Sequence, residues 1–540
     1  MLKDKKMLFA AWSCNNKNYF AYQTWYGPLR KIFNNVISFD PQEYTYRYEK
    51  GSMNQEFLKI VKHEKPDYIF LWLIYDEFYP ETLFKIKEIS PKTQVINFCG
   101  DDDAQFYDYS IYNSFFVDYS LITHKEFLKI YKNKAFFSVG TNTDQFRPLK
   151  IDKKYDVAFI GTPKTDRIEF AQYLMDKGIK IKIFGRGWEN YPQFKGIYGG
   201  FLDKEDYTRV INETRINLCF NKNYQGATHV IQKFFEINAC KAFVLTEYCK
   251  GYSDIFTEGK ELVMFKNKEE LLEKTKYYLK NEKEREAIAE SAYTKILNKY
   301  SSDVELNSIF QEISGYKNIP KKNLPIIKEK VIYLSKEDLI SATEILKEKI
   351  KLYDYISFKT EKSEILPYKD FFQVASLKIF KKDISCCDYY LYSSKLGEYL
   401  AVYANLAFKI MKKKDFSRVI KLDQLTITKS FLLNNLEEFR EICRDKNVNF
   451  INEKNTAFVT RPLVRINTFP SIELEKLKGI SWPKFENRIK TLFYQKDLRI
   501  FVYLYNSALA YFLGNKLILE YLSEKSKEKI KRSKEFFSLK

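Results

Sequence analysis

The stretch "DVAFIGTPKTDRIEFAQYLMDKGIKIKIFG", residues 156–185, contains the pattern that decides the fold. Two short apolar runs, "DVAFI" and "IKIKIF", flank a segment whose apolar side chains recur every three or four residues. Short apolar runs are typical of strands buried on both faces, and the middle spacing is typical of an amphipathic helix. The stretch therefore predicts a strand, a helix and a second strand of one parallel sheet.

The same alternation runs through the first 300 residues. Upstream, the predicted strands are "MLFAAW", "NVISF", "YIFLWLIY", "QVINFC", "YSLIT" and "AFFSVG". A loop, "TNTDQFRPLKIDKK", interrupts the rhythm near residue 150 before it restarts. The restart predicts an α/β fold with two successive Rossmann-like domains and a cleft between them. Open parallel sheets bind ligands beyond the carboxyl ends of their strands, so we expect the functional site there.

Three domains are predicted: residues 1–150, residues 151–315 and residues 316–540. The last follows the Pro- and Lys-rich linker "KNIPKKNLPIIKEK" and contains mostly helical patterns with a few strand-like runs. We therefore expect a helix-rich accessory domain of mixed α/β character, which carries no recognisable catalytic motif.

Basic residues outnumber acidic ones by 90 to 70, which makes the net charge +20. The lysines are dispersed and no nucleic-acid-binding module is recognisable, so no nucleic-acid partner is expected. A basic chain still favours anionic ligands or an anionic membrane surface. The basic end, "SEKSKEKIKRSKEFFSLK", is either a solvated terminal helix or a peripheral contact with such a membrane.

The cysteines and histidines disfavour a zinc site. The eight cysteines are scattered without CxxC spacing, and the chain has only three histidines. This pattern suits a reducing compartment, and neither a signal peptide nor an apolar run of transmembrane length is recognisable. We therefore expect a cytoplasmic protein, either free or at the inner face of the membrane.

A cation and a carboxylate interrupt the apolar segment "HVIQKFFEINAC", residues 229–240. If the whole segment is helical, then His229, Lys233 and Glu236 stand at positions i, i+4 and i+7 and share one face. One interpretation is an ordinary Lys–Glu pair on the surface of an amphipathic helix. The other is a helix that presents both charges to the cleft.

Glycines and arginines near two strand ends favour the second interpretation. They are Gly161, Arg167, Gly185 and Arg186. Glycine lets a ligand approach the backbone, and a helix N-terminus favours phosphate. Together with the Lys–Glu helix these residues suit a nucleoside diphosphate. Glu236 would accept hydrogen bonds from ribose, while Lys233 and Arg167 would neutralise phosphate charge.

The acidic run "FCGDDDAQF" follows a predicted strand of the first domain. We predict Asp102 and Asp103 as catalytic or acceptor-binding residues, because crowded carboxylates raise one another's pKa. Two alternatives stay open, namely capping of the next helix and binding of magnesium or manganese. His124 ends another strand and either lines the cleft as a third catalytic candidate or is structural.

The second-domain motifs resemble those of GT-B glycosyltransferases, and most closely the group-1, CgeB-like branch. The matching order is Lys233, Phe235, Glu236, then "AFVLTE", Gly251 and "FTEGKE". Looser similarity extends the resemblance over about residues 1–315. Lys233 stands where arginine is usual, and Thr228 stands where broader relatives carry a second glutamate. The sugar contact of that glutamate is therefore not expected here.

The resemblance implies a hexosyltransferase-type glycosyltransferase. A UDP- or GDP-linked sugar would bind the second domain, and a protein or cell-surface glycan acceptor would bind the first. It also implies no cofactor, no essential metal and retention of configuration. A non-catalytic nucleotide-sugar- or glycan-binding protein on the same core is the alternative. Residues 341–371 faintly resemble the middle of a degenerate GT-A glycosyltransferase without its paired aspartates.

Overall fold

The computed structural model describes residues 2–17, 19, 21–47, 50–73, 77–102, 106, 110–222, 228–316, 329–360, 363–366, 369–393, 397–402, 425–437, 439–440 and 456–467. The chain forms two compact units. The first contains residues 1–40, 63–74 and 92–320, and the second contains residues 41–62, 75–91 and 321–540. Asp103 and the basic end, residues 523–540, lie outside the described residues, so their predicted roles stay predictions.

The first unit contains a six-stranded parallel sheet in the order β2-β1-β3-β4-β5-β6. Its strands are β1 Lys6–Ala11, β2 Asn35–Phe39, β3 Tyr68–Trp72, β4 Gln94–Cys99, β5 Tyr119–Ile122 and β6 Lys134–Phe137. Every residue of β4 is buried, which explains why the central strands read as continuous apolar runs instead of alternating ones.

The same unit contains a second, five-stranded parallel sheet in the order β11-β10-β9-β7-β8. Its strands are β7 Tyr155–Ile160, β8 Ile181–Phe184, β9 Thr214–Cys219, β10 Val244–Glu247 and β11 Val263–Phe265. The chain steps outward from β7 to β8 and then returns to the other side for β9. The strand order therefore reverses between β7 and β9, and parallel sheets bind ligands at the carboxyl ends of such strands.

Helices connect these strands. In residues 1–316 the described α-helices are Gly27–Ile32, Pro41–Arg47, Lys50–Glu64, Pro80–Ile89, Ile111–Asn113, Thr165–Asp176, Lys204–Glu213, Gln232–Ala239, Lys250–Ser253, Lys268–Lys280, Glu282–Lys295 and Ser302–Gly315. Tyr22–Tyr26 and Ile296–Tyr300 are π-helical. After β11, two successive helices meet at Asn281.

The helix Ser302–Gly315 carries the chain from the second sheet back to the core of the first. Its apolar residues Leu306, Ile309, Phe310 and Ile313 join the buried cluster around β1 and β3. The Phe310 ring meets the Phe33 ring edge-on at 5.0 Å. Burial of four large side chains stabilises this return by roughly 1.5–3 kcal/mol each relative to exposure.

The second unit contains a seven-stranded mixed sheet. Its strands are β12 Val331–Leu334, β13 Tyr355–Phe358, β14 Ser363–Ile365, β15 Ile384–Ser393, β16 Gly397–Val402, β17 Leu425–Thr428 and β18 Thr456–Asn467. Among the described residues after 328, the helices are Lys336–Ile340, Thr343–Ile350, Lys369–Phe380 and Lys429–Asn434. β12 pairs with β13 in parallel, whereas β17 is antiparallel to both β13 and β15.

The α/β fold with two parallel Rossmann-like sheets is confirmed, and a mixed sheet follows them. The exact domain boundaries and the GT-A resemblance stay predictions, and Glu361 and Lys362 of its turn lie outside the described residues. None of the helices in the described ranges is long and apolar enough to span a membrane.

Candidate functional site

The loop that follows β7 is held by side chains from three separate segments. Lys233 Nζ donates to the carbonyl oxygen of Ile160, the last residue of the strand. Trp188 Nε1 donates to the next carbonyl, Gly161 O, over 2.6 Å. Arg167 donates to the third carbonyl, at residue 162, over 3.1 Å. Three consecutive carbonyl oxygens thus accept side-chain hydrogen bonds, and two of the three donating side chains are cations.

Arg167 also joins the two strand ends where the order of the sheet reverses. Its second guanidinium nitrogen donates over 3.4 Å to the carbonyl of Phe220, the residue after β9. The guanidinium lies 5.6 Å from the centre of the Phe159 ring, and Lys233 Nζ lies 5.5 Å from the same centre. Both cations therefore stand at the position where a parallel sheet binds its ligand.

Burial is the main cause that lowers the pKa of Lys233, and the charge of Arg167 lowers it further. Within the described part of the chain, Lys233 forms no ion pair to offset this neighbour. A partly dehydrated cation beside a second cation favours an anion. The two side chains can therefore bind a group that carries several negative charges.

Gly161 and Gly185 pack against each other at the ends of β7 and β8. Gly185 has φ +124°, and a Cβ on it would lie 2.5 Å from Gly161 O. A Cβ on Gly161 would lie 2.7 Å from the Phe159 ring and 3.0 Å from Lys233 Nζ. The chain itself therefore requires both glycines, whatever role they have toward a ligand.

The helix that carries Lys233 and Glu236 begins later than predicted. It spans Gln232–Ala239, and Ile231 is an extended N-cap without a side-chain cap. The prediction that His229 shares a helix face with Lys233 and Glu236 was wrong. Val230 and Ile231 are β-branched, which favours extended backbone, and the amide of Ile231 donates to the Tyr252 hydroxyl over 3.1 Å.

Glu236 is buried, with 8% of its surface exposed. Its carboxylate accepts a hydrogen bond from the Tyr207 hydroxyl at 2.9 Å. Burial raises the pKa of Glu236, although the Tyr207 hydrogen bond and Lys233 both oppose the shift. The carboxylate therefore lies one turn from Lys233, inside the unit and supported by a hydroxyl.

His124 and His229 contact each other, although neither shares a helix with the other. Their ring centroids lie 4.8 Å apart. His124 is 2% exposed, and its Nδ1 lies 2.9 Å from Thr123 Oγ1. Thr123 Oγ1 donates its only proton to Gly100 O over 2.8 Å, so it must accept from Nδ1–H. In the neutral form of His124, this tautomer carries its proton on Nδ1 and the lone pair on Nε2.

Asp102 is 2% exposed and accepts a hydrogen bond from the Tyr131 hydroxyl at 2.7 Å. Burial raises the pKa of Tyr131, and the neighbouring Cys99 and Asp102 raise it further. Asp101 is exposed, in contrast. The structure therefore separates two members of the acidic run into a buried, hydrogen-bonded carboxylate and an exposed one.

Arg186 lies on the surface, and its guanidinium lies 4.4 Å from the centre of the exposed Phe201 ring. It is not among the side chains that hold the loop after β7. Among the described residues, no three His, Cys, Asp or Glu side chains are grouped closely enough to hold a metal ion.

Sequence reasoning missed two residues of this region. One is Tyr207, since no local pattern indicates that its hydroxyl reaches Glu236. Gln232 donates over 2.9 Å to the carbonyl of Gly140, which follows β6 of the first sheet. Gln232 therefore connects the first turn of its helix to the segment that leaves the first sheet.

Residues 167–311 match the protein family described as glycosyl transferase-like. This match includes Arg167, Lys233, Glu236 and most of the helix that returns to the first sheet. This part of the chain is thus similar in sequence to glycosyl transferases.

Several solved structures resemble this chain distantly. HepE of Anabaena, solved with UDP and glucose, is 11% identical, with 58% of this chain and 100% of that chain covered at a TM-score of 0.43. A glycosyltransferase from Rickettsia africae has the same identity, coverage and TM-score. Sucrose-phosphate synthase from Thermosynechococcus elongatus is 9% identical, with 57% and 99% covered at a TM-score of 0.44. No curated protein sequence matches this chain significantly.

Proposed function

We propose that this chain transfers a sugar from a nucleotide-sugar donor to a protein or cell-surface glycan. The diphosphate of the donor would lie at the carboxyl ends of β7 and β9. The observation that carries the proposal is the position of Arg167, whose guanidinium joins both strand ends. Lys233 stands over the same Phe159 ring and adds a second positive charge.

The helix Gln232–Ala239 supports the same position for the diphosphate. Its N-cap, Ile231, provides no side-chain acceptor for the first amides of the helix. Uncapped amides and the positive end of the helix dipole attract phosphate. Two cations and these amides stabilise the leaving diphosphate as its charge develops, which is the role that a metal ion performs elsewhere. We therefore propose a transfer that requires no metal.

Glu236 and His229 complete the proposed donor site. Glu236 accepts hydrogen bonds from ribose hydroxyls. The Tyr207 hydroxyl donates a further hydrogen bond to its carboxylate at 2.9 Å. Pairing with ribose requires the carboxylate form, which Lys233 favours. Gly161, Gly185 and Arg186 border this site on the side of β7 and β8, and the usual second glutamate is replaced by Thr228.

His124 is the proposed base on the acceptor side. The acceptor hydroxyl oxygen attacks the anomeric carbon, the bond from that carbon to the diphosphate breaks, and the hydroxyl proton passes to His124 Nε2. Thr123 holds the ring in the tautomer that this step needs. Asp102 and Asp103 remain acceptor-side candidates. The family resemblance implies retention of configuration, which requires this attack to occur on the face of the sugar that the diphosphate leaves.

Thermal denaturation with added nucleotide sugars tests the donor site. UDP- and GDP-linked sugars come first, because the resemblance of residues 1–315 predicts them. A bound donor raises Tm by mass action. We expect Lys233→Met to abolish this stabilisation and the exposed Lys276→Met to preserve it. If no nucleotide sugar raises Tm, or if Lys233→Met responds as the parent does, the proposed site is wrong.

A further inference from the structure

A groove lies in the first unit, apart from the proposed donor site. Its volume is about 720 Å³, within the usual range for ligand pockets. Three segments line it: residues 22–28, residues 142–149 between the two sheets, and the helix Lys204–Glu213. The groove therefore combines residues that lie next to the first sheet with residues that lie next to the second sheet.

Gln145 supplies a buried polar group to this groove. Only 8% of its surface is exposed, and its Oε1 has no hydrogen-bond partner among the described residues. Its backbone is fixed at both sides, because its amide donates to Asn142 Oδ1 and its carbonyl accepts from Thr208 Oγ1. A buried amide oxygen without a partner is costly, and a ligand hydroxyl would remove that cost.

Two further polar groups in the groove are uncommitted. The Tyr22 hydroxyl and the Glu205 carboxylate form no hydrogen bond or ion pair with any described residue. The Tyr22 ring meets Tyr26 edge-on at 5.2 Å, which limits its movement. The groove therefore offers an aromatic ring, an amide oxygen, a hydroxyl and a carboxylate from three separate segments.

Most of the remaining charges of the groove are paired. Arg209 pairs with Asp206 on the same helix, and Asp144 pairs with Lys31. Arg147 donates to the backbone carbonyl of Asp144. The cation of Arg147 and the carboxylate of Glu205 balance each other in formal charge, so the groove has no net positive charge that would favour a phosphate. A neutral molecule with many hydroxyls meets these groups best, because it both donates and accepts.

The groove and the donor site use different faces of one helix. Asp206 and Thr208 line the groove, whereas Tyr207 between them donates to Glu236. The two sites therefore share no residue. A ligand in the groove would be held by groups that the proposed donor chemistry does not use.

We propose that this groove binds a neutral saccharide. The apolar face of a sugar ring packs on Tyr22, and sugar hydroxyls donate to Gln145 Oε1 and to the Glu205 carboxylate. A chain with this second site would hold a glycan at a distance from the reacting hydroxyl. This function goes beyond the proposed transfer, since it would operate even in the absence of a donor.

Ligand-detected NMR on the full chain tests the proposal, with maltotetraose, cellotetraose and chitotetraose as probes. We expect at least one probe to bind. Gln145→Leu and Glu205→Gln should each weaken that binding about tenfold, the effect of one lost hydrogen bond to a neutral or charged partner. Gln172→Leu is the matched control, because its amide pairs with Asp176 on an exposed helix face.

Tyr22→Leu provides a variant that does not disturb the buried Gln145, and it should also weaken binding. UDP should leave the saccharide signal unchanged. The proposal is overturned if none of the three probes binds. It is equally overturned if UDP displaces the probe, or if Glu236→Ala abolishes binding while the groove variants retain it. Loss of UDP binding with saccharide binding intact would instead contradict the proposed donor site alone.

Discussion

The imidazole of His124 lies against that of His229, with ring centroids 4.8 Å apart and planes inclined by 33°. His124 follows β5 of the first sheet, and His229 precedes the helix that carries Lys233 beside the second sheet. The carboxyl end of the first sheet is thus in contact with the segment that leads into the helix Gln232–Ala239. This contact places an acceptor-side candidate and a donor-side candidate within one compact unit.

The two histidines are expected to affect different constants. His124→Gln should lower kcat about 100-fold or more, as loss of a general base does, without changing UDP affinity. His229→Gln should weaken UDP binding and leave the remaining turnover intact. Steady-state kinetics and calorimetric UDP titrations check this division. His63→Gln, in an exposed position, is the control, and equal effects of both variants on both constants would contradict the assignment.

Lys233 and Glu236 should be separable by the part of the nucleotide that they bind. Lys233→Met is expected to weaken both UDP and inorganic pyrophosphate by about tenfold or more, because a charge-assisted contact is lost. Glu236→Gln should weaken UDP but not pyrophosphate, since only UDP carries ribose. Calorimetry with both ligands measures this. If pyrophosphate binding depended on Glu236, the ribose role would be excluded.

Gly185→Ala should destabilise the fold by about 3 kcal/mol, because the added Cβ meets backbone and not a movable side chain. That Cβ would lie 2.5 Å from Gly161 O at φ +124°. Gly178→Ala is the matched control, since Gly178 also has positive φ but nothing lies within 4 Å of its Cβ. We expect only about 1 kcal/mol there. Denaturant unfolding of both variants measures the difference, and equal losses would refute the packing argument.

Glu305 should make stability depend on pH. Its carboxylate accepts from Ser138 Oγ and from the amides of Val139 and Gly140. Burial outweighs these bonds and raises its pKa from 4.5 to about 7. Between those values the unfolded chain is ionised while the folded chain keeps the proton. The contribution of Glu305 to stability is therefore complete below pH 4.5 and is lost as pH rises to 7.

Glu305→Gln removes this titration. The parent should lose stability relative to the variant between pH 5 and pH 8, on the order of 3 kcal/mol for a shift of this size. Chemical denaturation at both pH values measures the change. Glu312→Gln, an exposed carboxylate on the same helix, should show no such trend. A constant difference between parent and Glu305→Gln would contradict the shifted pKa.

Local pattern was sufficient for the sheets and insufficient for the ends of helices. The runs "DVAFI" and "IKIKIF" became β7 and β8, because burial of a parallel strand on both faces needs a continuous apolar run. The start of the helix Gln232–Ala239 was predicted three residues too early. Val230 and Ile231 are extended instead, and the amide of Ile231 donates to the Tyr252 hydroxyl, 21 positions away. No local pattern contains that hydrogen bond.

The candidate site divides in the same way. Lys233, Glu236 and Arg167 were recognisable as charges in an apolar or glycine-rich context, where an unpartnered charge is costly. Their actual partners were not recognisable. Lys233 donates to a carbonyl 73 positions away, and the Glu236 carboxylate accepts from a tyrosine 29 positions away. Asp102 was expected in the cleft, and in the structure its carboxylate accepts a hydrogen bond from the Tyr131 hydroxyl.

By itself the sequence determined that two parallel sheets follow each other, and that glycines and cations stand at the strand ends of the second. The strands are recognisable because the spacing of apolar side chains is a property of neighbouring residues. The glycines and cations are then located by their distance in sequence from the strand ends. Only the tertiary structure decided that His124 contacts His229 and that Arg167 joins β7 to β9. The partners of a polar group depend on packing between distant segments, because its hydrogen bonds are short and directional.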